Sequence, residues 1–282
     1  MEKAIKRYFP IFVLPTMIAF TLGFIIPFAE GVYLSFCKFT TVNDAKFIGL
    51  SNYGKVFKDS TFVHAFWYTA AFTVVSVILI NVLAFAVALL LTKGIKGTNV
   101  FRTVFFMPNL IGGIVLGYIW QLLLNGILMK FSRTLTYSST FGFWGLVILM
   151  CWQQIGYMMI IYIAGIQNIP GELIEAAEID GATKRQVLKS VTIPMVMPSI
   201  TVCTFLTLTN SFKLFDQNLA LTGGDPNHMT EMLALNIYQT FYARAGAQWK
   251  GLGQAKAVLF CLLVIVISVL QLRATRKREV QQ

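Results

Sequence analysis

The chain is short of charged residues, of acids above all. Only 12% of its 282 residues are charged, about half the share found in ordinary soluble proteins, and the acids number 12. Four cysteines in so long a chain exclude a secreted scaffold held together by disulfides. The two histidines, His64 and His228, are far apart, so neither a metal site nor a catalytic residue cluster is predicted.

Apolar residues are abundant instead. They make up 56% of the chain, with 24 Phe among them, and the mean hydropathy is +0.69. Such a composition excludes intrinsic disorder. A net charge of +11 would suit nucleic acid, but nucleic-acid binders carry their basic residues on a polar face. No nucleic-acid partner is therefore predicted, and the composition indicates an integral membrane protein in contact with lipid.

Long apolar stretches predict an all-α membrane protein with six transmembrane helices. A spanning helix needs about 20 apolar residues, because each residue rises only about 1.5 Å. The predicted spans are residues 9–36, 64–91, 103–124, 141–166, 196–221 and 252–272. They form one transmembrane domain, 9–272, between a cytoplasmic N-terminus, 1–8, and a basic cytoplasmic tail, 273–282.

The distribution of basic residues predicts the orientation of these spans. Of the 23 Lys and Arg, the larger share falls on the side of the two termini. The loop from Lys93 to Arg102 and the C-terminal tail are basic and hold one acid between them, Glu279. Because basic loops stay on the cytoplasmic side, we predict a multi-pass protein of the cytoplasmic membrane with both termini in the cytoplasm.

The loop between spans four and five, residues 167–197, carries its own pattern. Glu172 and Glu175 suit the first turns of a helix, where acids complement the helix dipole. Gly181 can adopt the positive φ that ends a helix, and basic residues follow it. Two short amphipathic helices joined at Gly181 are therefore predicted. Such a pair can lie on the lipid surface or dock into a groove of another protein.

The spacing within this loop resembles a known motif. Glu175-Ala176-Ala177 precedes Gly181, and then Val191, Ile193 and Pro194 follow at the spacing of the EAA loop of binding-protein-dependent ABC importer permeases. The chain departs from that motif only by exchanging aliphatic residues at 191 and 193 and by a Leu at 188. The segments 101–108 and 221–226 also look like those of carbohydrate permeases. On these residues the chain is identified as a member of the maltose/multiple-sugar importer family, resembling its first permease subunit.

The resemblance implies how the loop works and which partners it needs. In that family the loop is a coupling helix that docks into a cytoplasmic ATPase. The implied coupling residues are Glu175, Ala176, Ala177, Asp180, Gly181, Ala182 and Pro194. The chain has no G-x-x-x-x-G-K-[ST] loop, so we expect it not to be an enzyme, and ATP and Mg to bind the partner ATPase dimer. A second homologous permease and an extracytoplasmic solute-binding protein are the other implied partners.

Polar residues inside the spans indicate a substrate pathway, because they are costly in lipid. The resemblance, aligned without gaps from the EAA loop, implies a sugar pocket. Its positions here are Gln153, Gln154, Tyr157, Thr207, Asn210, Ser211 and Leu214. The last four also lie on one helical face by spacing. The alternative is that these groups hydrogen-bond between helices and touch no ligand.

Two shorter patterns predict helix contacts. Lys213 and Asp216 are three residues apart on the predicted fifth span and are predicted to form an ion pair, with contact of Lys213 to an anionic substrate as the alternative. Gly113 and Gly117 have the spacing of close helix packing.

The function predicted is ATP-driven import of a sugar or oligosaccharide by alternating access. A permease for glycerol-3-phosphate or another small polar solute is the alternative. A secondary transporter is a weaker one, because ion coupling calls for intramembrane carboxylates and Asp216 is the one good candidate. An intramembrane enzyme is disfavoured because no catalytic cluster is readable.

Overall fold

The computed structural model describes residues 2–276, and these are almost entirely helical. Residues 277–282 of the predicted tail, 273–282, lie outside the described residues. The first seven helices are α1 (Glu2–Phe20), α2 (Ile26–Ser35), α3 (Ser51–Lys58), α4 (Ser60–Leu91), α5 (Thr98–Phe106), α6 (Gly113–Leu128) and α7 (Ser139–Gln167). The other seven are α8 (Gly171–Ile179), α9 (Lys184–Val187), α10 (Ile193–Met195), α11 (Met197–Phe212), α12 (Asp216–Leu221), α13 (Leu233–Tyr238) and α14 (Ala247–Arg276). A short antiparallel pair, β1 (Cys37–Lys38) and β2 (Lys46–Phe47), follows α2.

Among residues 2–276, five helical segments are long and apolar enough to cross a membrane. They are Ile11–Ser35, Ser60–Leu91, Gly113–Phe131, Ser139–Gln167 and Ala247–Ala274. A sixth span results if Lys184–Met195 and Met197–Phe212, which are bent by 68° at Val196, are counted together. The predicted all-α membrane fold is thus confirmed, and the prolines at 194 and 198 lie on either side of that bend, as expected from their missing N–H donors.

The bounds of the third span were predicted wrongly. The spanning helix α6 begins at Gly113, whereas residues 98–106 form the separate helix α5. Between them Pro108 lies in a 3₁₀ turn and Gly112 has extended backbone, with φ −61° and ψ 141°. Proline lacks a backbone N–H donor and Gly112 is extended, so the apolar run from Thr103 does not continue as one helix.

The fifth span is interrupted, which also differs from the prediction of one helix over 196–221. Helix α11 ends at Phe212, and α12 begins only at Asp216. No glycine or proline lies in this break, so local propensity does not explain it. The short helix α12 packs on α6, where a Cβ atom at Gly113 would lie 2.7 Å from Cβ of Asp216, and one at Gly117 2.7 Å from Cβ of Ala220. The predicted close packing at these two glycines is therefore confirmed, with α12 as the neighbour.

Within the described residues the chain divides into two compact units. The first contains residues up to Ser60 together with Ile237–Leu262. Its hairpin is held by Asn52, whose Nδ2 donates to the carbonyl oxygens of Ser35 and Cys37, both at 2.9 Å. In the turn of the hairpin, the backbone N–H groups of Thr40 and Thr41 donate to Asp44 and hold the pKa of that carboxyl below its usual value.

A buried ion pair lies in the same unit. Lys256 on α14 is fully buried, and its Nζ lies 2.8 Å from Oδ2 of Asp59, between α3 and α4. The same Nζ donates to Oγ1 of Thr240 at 2.8 Å. A buried ammonium requires such partners, because its desolvation is costly.

The second unit contains Thr61–Asn236 and the chain from Leu263 onward. Its core is built from apolar side chains of α4, α7 and α11, including Phe72, Ile80, Leu146, Met158 and Cys203. One polar network crosses this core. Tyr162 Oη donates to Oδ1 of Asn81 at 2.6 Å, and Asn81 Nδ2 donates to Oγ1 of Thr207 at 2.9 Å. The three helices are thus joined by hydrogen bonds that satisfy one another.

Candidate functional site

A cavity of about 320 Å³ opens at the interruption between α11 and α12. Its lining comes from α7, from the end of α11, from the break and from the first turn of α12. The lining residues are Met150, Gln154, Asn210, Lys213, Leu214, Phe215, Asp216 and Gln217. The volume lies at the lower end of the range for small-molecule sites. The cavity lies where the α-helix ends after Phe212, and the break itself supplies Lys213, Leu214 and Phe215 to the lining.

Amide groups are the main uncharged polar groups of this cavity. Asn210 Nδ2 lies 3.5 Å from Oε1 of Gln154, which joins α11 to α7. Gln217 Nε2 donates to Oε1 of Gln153 at 2.8 Å, and Gln153 Nε2 donates to the carbonyl oxygen of Ile111 at 3.3 Å. Each amide offers both a donor and an acceptor, so together they can meet a ligand that carries hydroxyl groups.

Three of the seven predicted pocket residues line the cavity, namely Gln154, Asn210 and Leu214. Gln153 lies behind it, hydrogen-bonded to the lining residue Gln217. Ser211 is fully buried, and its Oγ has no hydrogen-bond partner among the described residues. It does not line the cavity.

Thr207 and Tyr157 are placed elsewhere. Thr207 is fully buried, accepts from Asn81 and donates to the carbonyl oxygen of Cys203 at 2.7 Å. Tyr157 packs against the core, with its ring 6.4 Å from that of Phe106. For Thr207 the arrangement is the one foreseen by the alternative reading, a hydrogen bond between helices.

The cavity contains residues that the pocket prediction omitted. Phe215 supplies an aromatic surface, and Lys213 and Asp216 supply one charge of each sign. The expected ion pair between Lys213 and Asp216 is not formed. That expectation assumed a continuous helix, whereas the break places one residue at the end of α11 and the other at the start of α12. The sequence signal that could have assigned Lys213 and Asp216 to the cavity is the presence of two charged side chains within an apolar span.

The loop after α7 has the two predicted helices, α8 and α9, with Gly181 between them at φ +80°. The N–H of Ala182 donates to the carbonyl oxygen of Ala177 at 2.9 Å, and that of Gly181 donates to Glu178 at 3.0 Å. This pair of bonds is a Schellman C-cap, which requires a left-handed residue at the position of Gly181. Thr183 then caps α9 by accepting from the N–H of Gln186 at 3.4 Å.

Helix α8 presents much of its surface outward. Glu175, Ala176 and Asp180 are exposed, and Ala177 and Ala182 are half-buried. Ile179 is 86% exposed, although it is one of the largest aliphatic residues of the loop. Pro194 lies further along, in the short helix α10. An exposed helix with an aliphatic side chain at its end is suited to contact another protein.

Known proteins share both the sequence and the fold. The chain is 44% identical to the probable starch degradation products transport system permease protein AmyD of Thermoanaerobacterium thermosulfurigenes, over 96% of this chain and 94% of that protein. It is 30% identical to the multiple sugar-binding transport system permease protein MsmF of Streptococcus mutans, over 99% of both. Its fold matches a chain of a bacterial ABC transporter involved in the import of the acidic polysaccharide alginate, with a TM-score of 0.81, 20% identity and 98% of both chains covered.

A family profile covers most of the chain. Residues 84–279 match the family described as binding-protein-dependent transport system inner membrane component. The matched range includes α6 to α13, and hence both the cavity and the loop around Gly181. The resemblance drawn from the spacing of Glu175, Ala176, Ala177 and Gly181 is thereby confirmed. The chain is a multi-pass membrane protein that belongs to the family of inner membrane components of binding-protein-dependent transport systems.

Proposed function

We propose that the chain is the permease subunit of an ATP-driven importer that moves a sugar or oligosaccharide across the cytoplasmic membrane. The observation that carries the proposal is the cavity between α7, α11 and α12, lined by amides and Phe215 in a protein of this family. Saccharides are recognised by hydrogen bonds to their hydroxyl groups and by an aromatic surface against their apolar face. The relatives named for starch degradation products and for multiple sugars support the same substrate class.

Substrate binding is assigned to the predicted pocket, with the residues that line the cavity at its centre. Gln154 and Asn210 would bind hydroxyl groups, and Leu214 and Phe215 would provide apolar contact. Gln153 holds Gln217 in place by its 2.8 Å hydrogen bond. Thr207, Tyr157 and Ser211 would support the geometry of the surrounding helices without contacting the sugar.

Energy would come from a partner. The sequence has no phosphate-binding loop of the G-x-x-x-x-G-K-[ST] type, so ATP and Mg are assigned to a cytoplasmic ATPase dimer. We assign α8 as the helix that docks into this ATPase, through the exposed residues Glu175, Ala176 and Ile179. The loop and both termini would then lie in the cytoplasm.

Two further partners complete the importer. A second, homologous permease would close the open side of the cavity, and an extracytoplasmic solute-binding protein would deliver the sugar. Closure of the ATPase dimer would move α8, and this movement would pass through the bent segment at Val196 into α11, which carries Asn210. The cavity would then open alternately to the two sides of the membrane.

The pocket is tested by uptake of labelled maltotriose into proteoliposomes that hold the complete complex. Replacing Gln154 and Asn210 together by Ala should raise the sugar concentration for half-maximal uptake roughly tenfold or more, because two hydrogen bonds are lost. Thr209→Val is the matched control, because Thr209 bonds only to its own helix. Unchanged affinity in the double variant would refute the pocket assignment.

The docking of α8 is tested at Gly181 and Glu175. Gly181→Ala forces a left-handed backbone onto alanine, at a cost of about 1–2 kcal/mol, although no atom lies within 4 Å of the added Cβ. It should change the exit of α8 and reduce uptake while ATP hydrolysis continues. Gly171→Ala is the control, because its Cβ also meets open space at an ordinary φ. Wild-type uptake by both Gly181→Ala and Glu175→Ala would contradict the coupling role.

Glycerol-3-phosphate is the second candidate substrate, and Lys213 is the observation in its favour. An ammonium group in the cavity could bind a phosphate. Transport of glycerol-3-phosphate, measured in the same proteoliposomes in place of maltotriose, decides between the two.

A further inference from the structure

The cavity holds one basic and one acidic residue that are not paired with each other. Lys213 and Asp216 both line it, and both are exposed. No ion pair joins either of them to another described residue. The remaining lining side chains are uncharged, so the two residues set the charge of the site.

The position of Asp216 is fixed by packing. Asp216 is the first residue of α12, and a Cβ atom at Gly113 would lie 2.7 Å from its own Cβ. The next residue, Gln217, is held by its hydrogen bond to Gln153 on α7. The carboxylate that lines the cavity is therefore carried by a backbone that is anchored on two sides.

From these positions we infer that the Asp216 carboxylate, opposed to Lys213, makes the cavity selective for uncharged saccharides over substrates that carry a carboxylate or a phosphate. This inference rests on the proposed sugar import and narrows its substrate class. An anionic substrate that gains attraction from Lys213 meets repulsion of comparable size from Asp216, because both line the same small cavity. Lys213 alone would instead have favoured an anion.

An uncharged saccharide avoids this repulsion and uses both charges. Its hydroxyl groups can donate to the carboxylate of Asp216 and accept from the ammonium of Lys213, and such charge-assisted hydrogen bonds are stronger than neutral ones. Gln154 and Asn210 offer further partners, and Phe215 offers an apolar surface. The two charges therefore give an anion no net attraction, whereas they give a neutral sugar two charge-assisted hydrogen bonds.

The test compares two ligands of similar size on the complete transporter in lipid nanodiscs. The probes are maltotriose and maltotrionate, its derivative oxidised to a carboxylate at the reducing end, and equilibrium dialysis gives the affinity for each. The wild type should prefer maltotriose. Asp216→Asn should reduce the ratio of the affinity for maltotriose to that for maltotrionate roughly tenfold. Lys213→Gln should instead lower the affinity for maltotrionate below that of the wild type. Asp225→Asn is the matched control, an exposed carboxylate after α12 that does not line the cavity, and it should leave the preference unchanged.

A second measurement uses the salt dependence of binding. Raising the salt concentration from about 20 to about 500 mM should lower the affinity of Asp216→Asn for maltotrionate, because the attraction by Lys213 is then unopposed and exposed charges are screened. In the wild type, attraction and repulsion are screened alike, so the affinity for maltotrionate should change little. An equal or greater affinity for maltotrionate than for maltotriose in the wild type overturns the inference, as does a preference for maltotriose that Asp216→Asn does not change. Uptake of maltotriose in proteoliposomes would then still support sugar import. If the wild type neither binds nor takes up maltotriose, the proposed function fails together with this inference.

Discussion

Gln217 donates from Nε2 to Oε1 of Gln153 across 2.8 Å, and this bond joins the short helix α12 to the spanning helix α7. Gln153 is 5% exposed and uses its own Nε2 on the carbonyl oxygen of Ile111, before α6. The buried amide of Gln153 on α7 is thus bonded both to α12 and to the segment before α6. The interrupted span is held in place by hydrogen bonds as well as by the packing at Gly113.

Gln217→Leu should lower the free energy of unfolding by about 1 kcal/mol, because Gln153 Oε1 loses its donor in a buried site. Unfolding by SDS in mixed micelles measures this change. Combining it with Gln153→Leu gives a double-mutant cycle, in which a coupling energy near 1 kcal/mol is expected. Additive single effects would mean that the bond does not hold α12 to α7.

Thr207→Val should lower the free energy of unfolding without changing the affinity for sugar. The variant keeps the shape of the side chain but removes the acceptor for Asn81, at a cost of about 1 kcal/mol. Thr209→Val is the comparison, because Thr209 is also buried but bonds only to the carbonyl oxygens of Phe205 and Leu206. A large loss of sugar affinity in Thr207→Val, with stability intact, would instead favour direct contact with the substrate.

Gly156→Ala should be strongly destabilising. A Cβ atom at Gly156 on α7 would overlap the carbonyl oxygen of Phe105 on α5, which is backbone and cannot rotate away. Forcing the two helices apart should cost about 3 kcal/mol. Melting temperature in detergent measures the effect, with Gly126→Ala as the control, because no atom lies within 4 Å of its added Cβ. Equal melting temperatures for the two variants would contradict the close approach of α5 and α7.

Lys256→Met should lower the free energy of unfolding by about 3 kcal/mol, because it removes the cation that faces the largely buried carboxylate of Asp59. The double variant Lys256→Met with Asp59→Leu should recover much of this loss, since it removes both charges. The midpoint of SDS-induced unfolding compares the three proteins. A double variant that is less stable than Lys256→Met would show that the loss of stability in Lys256→Met does not come from breaking the ion pair.

Short-range patterns of the sequence were sufficient to predict most of the spanning helices, the family and the helix pair around Gly181. The apolar runs located the first, second, fourth and sixth spans within about five residues, because a helix in lipid must satisfy its backbone internally and needs a minimum length. The spacing of Glu175, Ala176, Ala177 and Gly181 identified the family. It also gave the local structure, since the Schellman cap at Gly181 involves only neighbouring residues.

The cavity depended on contacts that are distant in sequence. Neither glycine nor proline lies between Phe212 and Asp216 to mark a helix end, and α12, which follows the break, packs against Gly113 and Gly117, about 100 residues earlier. The tertiary structure places Phe215, Lys213 and Asp216 in the cavity, and it places Thr207 against Asn81 of α4. The sequence by itself determined the membrane class, the family and the helix pair around Gly181, because each is encoded in nearby residues. Only the tertiary structure decided where the fifth span breaks and which side chains line the cavity, because both depend on which helices pack against each other.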